Sequence, residues 1–136
     1  MTTDVYCVDG VVETLYDAAT KTMTCTWLHL GPHAHLRPCL QAQVDCVIAY
    51  DTQAIIVDTT DSKGVLTQED QAWIGEYVFP TYQAQDLKVL ITVLPKSALT
   101  SLAAKHWQKT GSTFGFDFME ADSLATAKQI VAELAA

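Results

Sequence analysis

Two stretches of this chain are almost continuously apolar, AIIVD at Ala54–Asp58 and KVLITVL at Lys88–Leu94. Unbroken Ile, Val and Leu runs arise where helices cover both faces of a strand, which is the situation of parallel sheets. Between them lies QEDQAWIGEYVFPTYQAQD, with an acidic start and aromatic residues at helical spacing. The order predicts a βαβ crossover whose two strands lie side by side in one direction. Thr67 is the expected helix N-cap, with Glu69 and Asp70 next to the positive end of the dipole, and Pro80 predicts a bend near Phe79 because it cannot donate a helical hydrogen bond.

The flanking segments alternate instead. Val11–Tyr16 and Thr22–Leu30 are rich in β-branched and aromatic residues and are joined by the short polar turn DAATK, which predicts an antiparallel hairpin. In the second strand, Met23, Cys25 and Trp27 share one face and Thr24, Thr26 and Leu28 the other, and one of the two faces is expected to be the better buried. Gly31 and Pro32 end it, and Pro38 fits only the first turn of a following helix, which should run to about Ala49. Leu36, Cys39, Leu40, Val44, Val47 and Ile48 form the apolar stripe of that helix. Further on, Ser97 caps a helix carrying Leu99, Leu102, Ala103 and His106, and Gly111 stops it. Phe114, Phe116 and Phe118 alternate in a last strand, and a final helix starting at Asp122 or Ser123 buries Leu124, Ala127, Val131 and Leu134. The expected architecture is one α/β domain over residues 1–136, in the order ββαβαβα, with a mixed sheet of about five strands and covering helices.

Length agrees with a single domain: 136 residues bury enough surface for a core without staples. Sixteen Asp and Glu against eight Lys and Arg give a formal charge of -8, which repels a phosphate backbone, so nucleic-acid binding is not expected. No apolar run is long enough to span a bilayer, and the acidic opening MTTDVYCVDG lacks the pattern of a secretory signal, so the expected location is cytoplasmic. Cys7, Cys25, Cys39 and Cys46 show neither CxxC pairs nor the density of a disulfide scaffold and read as reduced thiols. Cys39 and Cys46, seven apart on one helix face, read as small buried hydrophobes, with a redox pair as the alternative.

Taken together, WLHLG at 27–31, IIVDTTDSKGVLTQEDQAWIGEYVFP at 55–80, LKVLITVLPKS at 87–97 and FDFMEADSLATAKQIVAEL at 116–134 resemble the SpoIIAA-like proteins, or STAS/SEC14-type domains, related in fold to antagonists of anti-sigma factors. The resemblance implies a STAS-like α/β sandwich and a family largely without assigned activity; with no nucleophile, base and orienting group in recognisable order, the expected role is a non-enzymatic binding or regulatory module. In the sporulation antagonists a serine near the start of the helix after the central strand is phosphorylated. The comparable stretch here, DTTDSKGVLT, departs from that signature and offers Ser62 or Thr67 as candidates.

Loops leaving the carboxyl ends of parallel strands converge on one edge, where ligands commonly sit. There the sequence gathers Asp58, Asp61, Ser62 and Lys63, then Lys96 and Ser97, then Glu120 and Asp122. The first six are the candidate ligand or partner site, set against the ordinary reading of loop and cap residues facing water. His33 and His35 project alike in extended chain and could share a metal with Asp58 or Asp61, but no third ligand is indicated, and His29 and His106 read as structural. Trp73, Tyr77, Phe79 and Tyr82 either line a pocket for an apolar ligand or fill the core. KTGSTFGFDF lacks the spacing of a phosphate loop, and the opening hairpin is unlike a phospho-accepting receiver domain. No catalytic residue, metal or cofactor is assigned. The expected partners are a protein or a small apolar ligand, with a homodimer also open to the chain; a small metal-assisted enzyme using His33, His35 and Asp58 is the alternative.

Overall fold

The apolar runs do become neighbouring central strands, at Ala54–Asp58 and Val89–Val93. A computed structural model describes residues 2–31, 34–64, 66–93 and 116–135, with side chains to 133. Its elements are β1 (Thr2–Val8), β2 (Val12–Asp17), β3 (Thr22–Trp27), β4 (His29–Gly31), α1 (Leu36–Ala49), β5 (Ala54–Asp58), β6 (Lys63–Gly64), α2 (Gln68–Trp73), a π-helical turn (Ile74–Val78), α3 (Phe79–Ala84), β7 (Val89–Val93), β8 (Asp117–Ala121) and α4 (Leu124–Ala135). Six strands form one mixed sheet in the order β1-β2-β3-β5-β7-β8, and β4 and β6 form a separate two-stranded ladder.

β1, β2 and β3 are antiparallel, whereas β3, β5, β7 and β8 run parallel. Ile55 pairs with Leu90 and Ile56 with Ile91, so the predicted crossover holds in direction and in register. The order is longer than ββαβαβα, because β1 precedes the hairpin and is the sheet's outer strand, beyond the predicted set of about five. The predicted helix from Ser97 through Leu99, Leu102, Ala103 and His106, its stop at Gly111, and Phe114 lie outside the described residues.

Strand pattern and burial correspond. In β5, Ile55 and Val57 join a front core while Ala54 and Ile56 join a rear one, which is why the run has no polar alternation. In β3, Met23, Cys25 and Trp27 are buried in the front core and Thr24 and Thr26 are half-exposed, as their alternation predicts. α1 covers the front with Leu36, Cys39, Leu40, Val44 and Val47. Ile48 departs from the predicted stripe: it is 54% exposed, and the positions that turn inward with the others are Gln43 and Cys46. The rear core, Ala54, Ile56, Val89, Ile91, Val93 and Ala121, is covered by Ala127 and Val131 of α4, with Leu124 half-buried beside them.

Thr67 caps α2, its hydroxyl accepting from Asp70 N–H at 3.0 Å. The bend expected at Pro80 takes the form of the π turn just before it. Phe79 N–H donates to Ile74 O, five residues back, which widens the helix ahead of a residue that has no N–H and whose ring would crowd the preceding turn. At the chain's end, Ser123 Oγ accepts from Thr126 N–H at 3.1 Å and caps α4, one of the two predicted starts. No helix among the described residues is long and apolar enough to cross a membrane.

Candidate functional site

At the carboxyl end of β5, the loop is held by its own polar groups. Asp58 Oδ1 accepts from Thr60 N–H at 3.0 Å and from Thr60 Oγ1 at 2.7 Å. Thr59 Oγ1 donates to Val93 O at 2.7 Å and ties the loop to the end of β7. Ser62 is 2% exposed, its N–H donates to Thr59 O at 3.1 Å, and its hydroxyl faces Lys63 O at 3.4 Å. Asp61, Lys63 and Thr67 are exposed, the last engaged as the α2 cap. Asp58, Asp61, Ser62 and Lys63 are thus together because one loop carries them, and the bonds of Asp58 and Ser62 shape that loop. Lys96 and Ser97 lie outside the described residues.

The two described histidines stand on different elements. His35 stands at the start of α1, where Nδ1 meets Tyr6 Oη of β1 at 3.1 Å, and His29 pairs in register with Lys63. His33 and His106 lie outside the described residues. No group of three His, Cys, Asp or Glu that could hold a metal occurs among the described residues.

Of the four aromatics, Phe79 and Tyr82 are core residues: Phe79 stands edge-on to Phe118 with centroids 5.2 Å apart, and both are 1% exposed. Trp73 carries the Arg37 guanidinium 5.3 Å above its ring while Arg37 Nε pairs with Asp70 at 2.9 Å, so this face clamps α1 to α2. The aromatics at helical spacing join the layers of the fold.

Open space lies instead behind the hairpin. Along the rear face, register sets Glu13 opposite Thr26, Leu15 opposite Thr24, and Asp17 opposite Thr22, while Thr24 in turn adjoins Ile56. Among the described residues, α4 packs on the rear of β5, β7 and β8 and no helix packs on this half of the sheet. Between the two a cavity of about 350 Å³ is floored by Leu15, Ile56, Leu124 and Val131 and ringed by Thr22, Thr24, Thr26 and Lys128. A second cavity, about 460 Å³, adjoins it at the amino ends of β5 and β7, sharing Thr20 and Val131 and adding Lys21, Gln53 and Lys88. Lys21 there pairs with Asp51 at 2.9 Å. The alternation of Thr24 and Thr26 was readable from sequence, but the wall supplied by α4 was not.

The front core holds a second polar assembly. Gln43 Nε2 donates to Cys25 Sγ at 3.0 Å and to Cys39 Sγ at 3.5 Å. Thr14 Oγ1 donates to Cys25 Sγ at 3.2 Å and stands 3.5 Å from Cys39 Sγ. Tyr82 Oη donates to Gln43 Oε1 at 3.3 Å, which fixes the amide with its nitrogen toward the sulfurs. All five side chains are buried. Burial pushes the Cys25 thiol well up, whereas the hydrogen bond from Cys25 holds Cys39 below the ordinary thiol value, helped by Thr14 and Gln43 against the cost of burial. Burial likewise raises the Tyr82 phenol well above its ordinary value. The thiol facing Cys39 is therefore Cys25 of β3, and not Cys46, seven residues along the same helix. Sequence spacing did not single out Thr14 or Gln43; the signal available was that Gln43 follows Cys39 by one helical repeat inside the apolar stripe.

No family model, no curated protein and no solved structure matches the chain.

Proposed function

We propose that this protein is a non-enzymatic binding module of STAS-like architecture whose ligand is a small amphipathic molecule seated between the rear of the β2–β3 hairpin and α4. The observation that carries the reading is the cavity of about 350 Å³, of a size suited to a small ligand, in which an apolar floor meets convergent hydroxyls and the Lys128 ammonium. Leu15, Ile56, Leu124 and Val131 take the ligand's apolar body; the threonine hydroxyls, which both donate and accept, take its head. The likeness to STAS-type domains is supported by a mixed sheet in which an antiparallel start leads into parallel strands with helical crossovers. On this reading the ligand lies on the opposite face of the sheet from the aromatic helix.

A second reading, docking of a protein partner at the strand-end loop, is favoured by the exposure of Asp61, Lys63 and Thr67 on one side of the fold. Thermal unfolding with decanoate, decanol and decylamine separates the two. Cavity binding gives a saturable rise in Tm for one head group over the others, and Ala132→Trp, which sets a large ring in the cavity from an exposed helix position, removes it. Equal shifts in the parent and Ala132→Trp proteins count against the cavity.

A further inference from the structure

The five buried groups Thr14, Cys25, Cys39, Gln43 and Tyr82 do more than pack. A core position that needs only a small hydrophobe does not need an amide and a hydroxyl directed at it, and a buried Gln is costly unless its hydrogen bonds are made. Here a single amide nitrogen lies 3.0 Å and 3.5 Å from two sulfurs, and a single hydroxyl oxygen 3.2 Å and 3.5 Å from the same two. That is only feasible when the sulfurs are neighbours. They stand on different rigid elements, Cys25 on β3 and Cys39 on α1, and Tyr82 keeps the amide from turning its oxygen toward them. The donors converge on sulfur, the arrangement that favours a thiolate, which is the nucleophilic form.

We propose that Cys25 and Cys39 form an intramolecular disulfide when the protein meets a hydroperoxide. The Cys39 thiolate attacks the peroxide oxygen; an S–O bond forms, the O–O bond breaks, and the departing hydroxide leaves as water after taking a proton. Cys25 then loses its proton and attacks the Cys39 sulfur; the S–S bond forms, the S–O bond breaks, and a second water leaves. Two thiols are oxidised and one hydrogen peroxide is reduced to two waters. Peroxide is close to water in size, and β1, an outer strand of the sheet, packs at the start of the helix that carries Cys39, its Tyr6 touching His35 one turn before Cys39. Outer strands open at lower cost than central ones and admit small reactants.

The test uses the full chain carrying Cys7→Ser, since Cys7 is exposed and would take up oxidant itself. After treatment of the reduced protein with hydrogen peroxide, intact mass should fall by two hydrogens and peptide mapping should join the Cys25 and Cys39 peptides. In Cys25→Ala, Cys39 should stop at a sulfenic acid that dimedone captures, while in Cys39→Ala the Cys25 thiol should stay reduced. Gln43→Met should slow closure by about tenfold, the loss expected from one sulfur hydrogen bond. Mapping that finds Cys25 and Cys39 still as free thiols, or a Cys39–Cys46 bridge, in the folded protein overturns the proposal. The mapping on the Cys7→Ser chain decides the matter even if an alanine variant fails to fold.

Discussion

Gln43 is a single polar side chain inside the front core, and its cost is offset only because Tyr82 and the two sulfurs complete its bonds. Tyr82→Phe leaves the Gln43 oxygen buried without its donor, and should destabilise by about 1–3 kcal/mol. Gln43→Leu should cost a similar amount, whereas the double variant should cost less than the sum of the two, a coupling readable by urea unfolding of all four proteins. The same residues set the alkaline limit. Tyr82 and Cys25 have pKa values raised in the fold from ordinary values of 10.0 and 9.0, so below pH 9 both are protonated in either state and contribute no slope. Above those values the unfolded chain releases protons that the fold retains, and stability should fall as pH rises. Unfolding midpoints measured from pH 9 to 11 should decline, with a shallower decline in Tyr82→Phe; below pH 9 the lowered Cys39 thiol works in the opposite sense, gaining stability as pH rises.

At the scale of elements, what could be read from residues depended on whether the pattern was local. β5 was legible because all its apolar positions are buried on two faces, and β3 because only one face is. Thr67 was legible as a cap because its hydroxyl acts within three residues; Thr67→Ala should cost about 1 kcal/mol in chemical denaturation without altering the sheet. β1 was missed because an outer strand with mostly exposed or half-exposed residues has no apolar run to announce it. The β4–β6 ladder was missed because it depends on a close approach of two distant loops. Gly64 sits at φ +83 with the Gly31 carbonyl where a side chain would stand, so Gly64→Ala adds left-handed strain to a backbone clash. It should lower stability by at least about 1–3 kcal/mol, measured as a drop in unfolding midpoint. The candidate loop at 58–63 was correctly placed at a strand end, but its residues are occupied in shaping the turn, which residue type alone cannot disclose.

For the molecule as a whole, the two faces of one sheet divide the work. The front face is closed by α1 and the α2–α3 passage over a continuous core, while on the rear face, among the described residues, α4 packs on β5, β7 and β8. The alternation in the hairpin foretold one better-buried face, yet which face that is, and whether the side with Thr24 and Thr26 meets water or a cavity, depends on where the helices pack, a tertiary outcome. The cavity behind the hairpin is the proposed seat of a small ligand. Amide chemical-shift mapping during a titration with decanoate tests that role most directly: saturable shifts at Thr22, Thr24 and Thr26 of β3 and at Leu124 and Lys128 of α4, absent in Ala132→Trp, are the predicted result. Shifts centred on Trp73 and Tyr77, or no saturable shift at the hairpin, would contradict it.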